Sequence, residues 1–426
     1  MSRLLLKNIE LLDTPNGEKN CIAVENNHIV YVGNKLPESF IADEVIDGHG
    51  MLATAGMVNT HGHVSMTLLR SYADDMALMD WLENKIWPIE AKMNAKDIYW
   101  GAMLGIAEML KSGTTCFADM YCFMDDVARA VAETGIRANL SRGLIGLGPD
   151  KDSKLEENTR LVKDWQSYDN GRIRITYGPH APYTCPVDYL QQVIAAAEKN
   201  NAEIQMHLCE TQGEVENCIK EHGLTPIALM NKLGMFEQGT IAAHCVYLSE
   251  ADMDIMAEKH VRVAHNPQSN LKLASGIAPV ARMLEKGICV GLGTDGASSN
   301  NNLDMLEECR AAAMLHKTTT MNPLAVPAAK AWEMATENGA KVLGFEQLGK
   351  LIVGQKADIV LWNMHKPYWY PRHNKLSLLV YAASASDADT VLVDGKIVLQ
   401  NGTMTLFDEE KIYAEASLRA QKLLLK

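Results

Sequence analysis

The chain lacks the pairings from which sulfur-rich folds are built: its nine cysteines are odd in number and no two form a C-x-x-C pair. A disulfide framework is therefore excluded, and the thiols read as buried apolar side chains in a reducing, cytoplasmic compartment. Long apolar runs are missing as well. No stretch approaches the roughly 18 apolar residues that a membrane span requires. The run Leu4–Leu6 is too short for a secretion signal, with Glu10 and Asp13 close behind it. Nor is there a basic excess. Against 53 Asp and Glu stand 40 Lys and Arg, a formal charge of −13, so the basic stripe that a phosphate backbone needs is absent. A nucleic acid polymer is not an expected partner. Several catalytic signatures are also missing: H-E-x-x-H, H-x-E with P-C-x-x-C, G-x-S-x-G and the G-x-x-x-x-G-K-[ST] loop.

What is present is an ordinary globular composition, 47% hydrophobic and 22% charged over 426 residues. The two ends share one texture. Leu4–Leu12, Cys21–Val24 and Ile29–Val32 are β-prone runs broken by Pro15-Asn16-Gly17 and Asn26-Asn27. Near the other end, Ala357–Trp362, Thr390–Val393 and Lys396–Leu399 alternate with Asp394-Gly395 and Asn401-Gly402 turns. Between them, short apolar runs alternate with helical patterns such as Ile98–Lys111 and Val127–Glu133, in about eight strand–helix units. The expected fold is α/β: a (β/α)8 barrel of the TIM type over 56–345, with a doubly wound sheet as the alternative. Residues 1–55 and 346–426 are expected to form one small β-sandwich domain, with a helix over Glu409–Lys426.

Histidine placement carries the chemistry. The strand-like run Leu52–Val58 leads into Asn59-Thr60-His61-Gly62-His63, and residues two apart at a strand end point the same way, so both imidazoles can reach one metal ion. Glu203–Met206 ends in His207, with Glu210 three residues on. Thr240–Ala243 ends in His244, and Ile288–Leu292 runs into Gly293-Thr294-Asp295-Gly296. The strand ends of a βα barrel converge on its active site. One strand-end histidine is ordinarily structural, but four strands each ending in a possible ligand or acid–base group point to a shared site.

These residues resemble the amidohydrolase superfamily of metal-dependent hydrolases. The resemblance covers nearly the whole chain and is carried by Gly56–His63, His207–Glu210 and Gly293–Gly296. Within it, Ala264–Leu273 followed by Ser275-Gly276 resembles the branch of aromatic-ring deaminases and chlorohydrolases, nearest to the 5′-methylthioadenosine/S-adenosylhomocysteine deaminases. The resemblance implies one divalent metal ion, zinc by expectation, held by His61, His63, His207 and Asp295. The lysine of two-metal members has no counterpart where Ile173–Tyr177 leads into Gly178-Pro179-His180. It further implies hydrolytic deamination of a small-molecule nucleoside by hydroxide formed at the metal. Glu210 would protonate the ring nitrogen, Asp295 would shuttle the proton to ammonia, and His244 would orient the attacking oxygen. Trp81, Glu90, Arg142, Lys154 and His180 match substrate-binding positions, Glu90 toward ribose and Arg142 toward a carboxylate. Lys154 stands where some relatives have arginine, and it keeps the charge but not the bidentate fork. Guanine, cytosine or s-triazine aminohydrolases and chlorohydrolases form the alternative within the superfamily. A non-catalytic barrel acting in protein assembly is the remote one. A homo-oligomer is the ordinary state for such an enzyme.

Other features read as structural. Gly291–Gly296 satisfies G-x-G-x-x-G, but Asn300-Asn301-Asn302 and a helix follow where a second strand would be needed, so the glycines are expected to let the backbone turn around Asp295. Cys209 and Cys245 should point away from the metal by strand alternation, and the 23 methionines read as core filling. His28, His49, His222, His260, His316, His365 and His373 fall in no comparable pattern.

Overall fold

The β-prone ends pair with each other across nearly the whole chain. In the computed structural model, which describes residues 2–425, Arg3–Leu11, Asn20–Glu25, His28–Gly33, Glu44–Asp47 and Met51–Ala55 share one nine-stranded sheet with Ile359–Asn363, Ala388–Val393, Lys396–Gln400 and Thr403–Met404. The junction is antiparallel, with Ile359 opposite Ala55 and Asn363 opposite Met51. Asp394 and Gly395 both have positive φ, 52° and 77°, the backbone a two-residue hairpin demands between Ala388–Val393 and Lys396–Gln400. Leu6, Ile9, Ile22, Ile359, Leu361 and Leu392 form a fully buried cluster drawn from both ends.

Strands in the middle of the chain are parallel, and neighbours in sequence are neighbours in space. Met57–Asn59 pairs with Thr114–Tyr121, which pairs with Arg137–Leu144. The short strands Ile173–Ile175 and Gly178–Pro179 both lie against Arg137–Leu144. A second parallel sheet runs Ile204–Leu208, Thr240–His244, Arg262–His265, Val290–Leu292. The two sheets meet on both sides. A parallel bridge joins Tyr177 to Ile204, and the Thr60 amide donates to the Leu292 carbonyl at 2.8 Å. Val58, Cys116, Ala118, Ile241, Ala243 and Ala264 point from these strands into one interior cluster.

Helices Ala95–Lys111, Met124–Thr134 and Met305–Thr320 follow the strands that precede them in the chain. Asn94 and Asp97 start the first of these with a reciprocal capping box. Helix Glu409–Leu425 packs against Ala95–Lys111, and Lys426 lies outside the described residues. Arg137 ties the two parts together: its guanidinium is buried, bonds Asp358 through Nε and Nη2 at 3.0 and 2.9 Å, and reaches Asp394 at 3.0 Å. No described helix is long and apolar enough to cross a membrane.

Candidate active site

At the carboxyl ends of the parallel strands the backbone leaves regular β geometry, and the site residues sit at those departures. Cys209, His244, Cys245 and Asp295 all have positive φ, between 52° and 71°, a conformation that residues with a Cβ adopt only where their surroundings hold them. The first and last strands are locked end to end. Asn59 donates from Nδ2 to Thr294 Oγ1 at 2.7 Å and accepts the Thr294 amide at 3.0 Å, while the Asp295 amide donates to the His61 carbonyl at 3.0 Å. Gly293 is required by proximity. A Cβ there would lie 2.8 Å from the His61 backbone nitrogen. The turn at Asp295 therefore comes from Asp295 itself, with φ 62°, and not from its flanking glycines as the sequence suggested.

These locks assemble a compact cluster of rings. His61 lies 5.1 Å from His63, 4.8 Å from His207 and 5.4 Å from His244, centroid to centroid. Three of the imidazoles are aimed by their outer nitrogens. His63 Nδ1 donates to the Met120 carbonyl at 2.7 Å, His207 Nδ1 to the His180 carbonyl at 2.6 Å, and His244 Nδ1 to Asn270 Oδ1 at 2.8 Å. Each bond makes Nδ1 a donor, so in the neutral form of each ring Nε2 is the inward lone pair. Asp295 accepts at Oδ2 from Ser269 and Ser299, at 2.6 and 2.9 Å, and its Oδ1 lies 3.3 Å from His63 Nε2 and 3.6 Å from His61 Nε2.

The cluster fits a divalent cation. Ligand atoms of His61, His63 and Asp295 lie within 4.8 Å of one another, as do those of His61, His207 and His244. His61 Nε2 is buried with no hydrogen-bond partner, a costly state for a polar atom unless a ligand satisfies it. Burial holds His61 and His207 well below the usual histidine range, and the neutral ring is the form that binds metal. Asp295 and His63 hold each other charged. Against burial, the Asp295 hydrogen bond and charge raise His63 to about 9, and His63 holds the Asp295 carboxyl well below the usual range, so an ion binding there would displace the His63 Nε2 proton. The set is hard nitrogen and oxygen without sulfur. Cys209 and Cys245 are buried and free, and neither lines the cleft.

A cleft opens over this cluster, lined by His63, His207, His244, Asp295 and Glu210. Glu210 is 5% exposed, accepts a long hydrogen bond from Ser275 Oγ at 3.4 Å, and has its carboxyl pushed up by burial. His180 lines the cleft with Nδ1 on Thr184 Oγ1 at 2.9 Å, and burial lowers it to about 4. Trp81 and Glu90 face the same space. Nine residues apart, they would sit on opposite faces of a regular α-helix. A π-helical turn at Leu82–Ile86 between Leu78–Trp81 and Trp87–Glu90 unwinds the segment and brings both inward. Glu90 is raised by burial and accepts a 2.5 Å bond from the Tyr121 hydroxyl.

Arg142 reaches the cleft, with Nε on Glu157 at 2.8 Å and Nη1 on the Gly143 carbonyl at 2.7 Å. Lys154 is not brought to the cleft lining; its ammonium pairs with Asp150 at 2.8 Å. Asp150 lies one helical turn back from Lys154 on Lys151–Trp165. Sequence reasoning missed Tyr121, Tyr183 and Glu214. Tyr121 and Tyr183 line the cleft, and Glu214 lies behind Glu210. Ser269 and Asn270 stood in the quoted Ala264–Leu273 segment without a role.

Comparison with known proteins agrees with this geometry. Residues 52–398 match the amidohydrolase family. A 5-methylthioadenosine/S-adenosylhomocysteine deaminase from Dictyoglomus thermophilum is 53% identical over 384 residues, 90% of each chain. One from Dictyoglomus turgidum is 49% identical over 426 residues, the full length of both. Among solved structures, an adenosine deaminase from Xanthomonas campestris with bound zinc has a TM-score of 0.94 at 32% identity, covering 100% of this chain and 99% of that one. An atrazine chlorohydrolase from Arthrobacter aurescens, complexed with zinc, shares the fold with a TM-score of 0.91 at 24% identity, covering 98% of this chain and 100% of that one. With strand-end histidines, a buried carboxylate and a family match over most of its length, the chain belongs to the amidohydrolase family.

Proposed function

We propose that this chain is a metal-dependent deaminase of 5′-methylthioadenosine and/or S-adenosylhomocysteine, with adenosine a further substrate, yielding the inosine analogue and ammonia. The observation that carries the reading is a pair of ligand groups sharing His61, one with His63 and Asp295 and one with His207 and His244, with Glu210 lining the same cleft beside His244. Relatives about half identical over 90–100% of the chain are named as deaminases of those nucleosides. His61, His63, His207 and Asp295 would hold one divalent ion, with zinc matching their nitrogen and oxygen donors. The absence of a lysine at Gly178-Pro179 supports a single ion. When bound, such an ion brings the pKa of water toward roughly 7.

The residues then divide the proton work. Asp295 accepts a proton from the attacking water and passes it to the departing ammonia. His244, with Nδ1 on Asn270, presents Nε2 to orient the attacking oxygen. Glu210, whose burial favours the protonated form, donates to the ring nitrogen beside the amino-bearing carbon. Glu90 takes the ribose hydroxyls, Trp81 and His180 flank the base, and Arg142 meets the amino-acid end of an adenosylhomocysteine. Lys154, paired with Asp150, is given no substrate contact.

The parallel strands are read as a closed (β/α)8 barrel over 56–345, supported by hydrogen bonds at both seams. The terminal sheet is read as a small β-sandwich over 1–55 and 346–426. Arg3–Leu11 pairs with Asn20–Glu25 in one leaf and, at Glu10 and Leu11, with Met51–Ala55 in the other. Nine free cysteines suit a cytoplasmic setting.

The test is to purify the protein, measure bound metal and follow ammonia release from methylthioadenosine, adenosylhomocysteine, adenosine, guanine and a triazine. About one metal per chain with turnover of the thioether nucleosides is expected. Activity confined to guanine or triazine would overturn the substrate assignment.

A further inference from the structure

Glu210 follows a turn with few supports of its own. Cys209 has a φ of 56°, and beyond it the chain leaves the strand Ile204–Leu208 for the helix Gln212–His222. The Cys209 carbonyl is held from the neighbouring strand, accepting the Val246 and Tyr247 amides at 2.9 Å each. On the other side of the turn, the Cys209 and Glu210 amides point inward, away from water. Both are satisfied by one side chain. Glu214 accepts the Cys209 amide at Oε1, 2.8 Å, and the Glu210 amide at Oε2, 2.9 Å.

Glu214 is 7% exposed, and no described lysine or arginine forms an ion pair with it. Thr211 caps the helix by accepting the Glu214 amide at 3.2 Å. The spacing Thr211-x-x-Glu214 matches a capping box, in which the glutamate would return to the amide of the cap residue itself. Here the carboxylate reaches one and two residues further back. That displacement places its two oxygens on the turn that aims Glu210 and not on the helix end.

We propose that Glu214 is a positioning residue that sets the direction of the Glu210 carboxyl through the Cys209–Glu210 backbone. The proposal rests on the role given to Glu210 above. It requires two acceptor atoms. A glutamine of the same shape supplies one oxygen, and its NH2 group would face a backbone N–H that also donates.

The experiment is a double-mutant cycle in the metal-loaded, full-length enzyme with methylthioadenosine as substrate. E214Q is expected to lower kcat by about 10- to 100-fold, with KM within about twofold and metal content unchanged. In the Glu210→Gln background, E214Q should cost little more, because the group it aims is already gone. Equal fold-losses from E214Q in both backgrounds would overturn the proposal, as would a loss expressed only in KM or metal content. Full activity of Glu210→Gln alone would instead overturn the role of Glu210. Should E214Q fail to fold, E214D keeps two acceptor oxygens on a shorter reach and is read by the same cycle with the same criteria.

Discussion

His207 donates its Nδ1–H to the backbone carbonyl of His180 at 2.6 Å, and both rings line the same cleft. A carbonyl can only accept, so this contact commits His207 to one tautomer. On the proposed assignment, in which His180 faces the base and His207 holds the ion, movement of the His180 segment would be felt at the metal site.

Metal removal should therefore unbuild the site. Dialysis against a chelator is expected to abolish deamination and to lower the thermal midpoint, with zinc restoring both. An ion present at about a thousand times its Kd stabilises the folded state by about 4 kcal/mol. Differential scanning calorimetry of the stripped and reloaded protein checks this; identical midpoints would argue against a tightly held ion.

Replacing Glu210 by glutamine keeps shape and burial but removes the transferable proton. The expected loss in kcat is about 10²- to 10⁴-fold, with metal content intact. Steady-state kinetics with metal analysis on the same samples decides it.

Tyr121→Phe removes the hydroxyl that donates to Glu90 at 2.5 Å. A buried carboxylate stripped of a donor costs about 1–3 kcal/mol, expected here as a KM for nucleosides raised by about 5- to 100-fold with a smaller change in kcat. A substrate analogue without the ribose hydroxyls should show no such difference. Equal effects on both would place Tyr121 outside ribose recognition.

Arg137→Met strands Asp358 and Asp394 in the interior. Breaking a buried pair on one side typically costs about 3–5 kcal/mol. The midpoint in urea should fall accordingly, while kcat/KM of the folded fraction stays near that of the parent, since the contact is remote from the cleft.

Asp304, at the start of Met305–Thr320, is pushed up to about 6 by burial, against a model-compound value of 3.8. Between pH 4 and 6 the folded state thus holds a proton that the unfolded chain has lost, so stability falls as pH rises through this window. Asn caps a helix as well as Asp does. Asp304→Asn should show a smaller fall in thermal midpoint from pH 4 to 6, and parallel curves for the two proteins would refute the attribution.

Much of the site was legible because strand periodicity and a fixed polarity of βα units make strand-end residues converge. His61, His63, His207, His244 and Asp295 could be grouped from their places at strand ends alone. Contacts made by irregular backbone were not legible. The π-helical turn at Leu82–Ile86 has no periodic signal, yet it decides that Trp81 and Glu90 share a face. Glu214 was masked by its resemblance to an ordinary cap, and Tyr121 by lying on a strand whose every residue is buried. Lys154 shows the converse. A matching position in the sequence does not bring a side chain to the cleft when Asp150 lies one helical turn away.

The sheet shared by both ends has a consequence for synthesis. Met51–Ala55 waits for Ile359–Asn363 as its partner, and roughly 300 residues must leave the ribosome in between. At about 5–20 residues per second that delay is roughly 15–60 s. Throughout it the nascent amino-terminal strands hold an open hydrogen-bonding edge, and a chain released early, before Ile359 is made, would keep that edge as a template for aggregation.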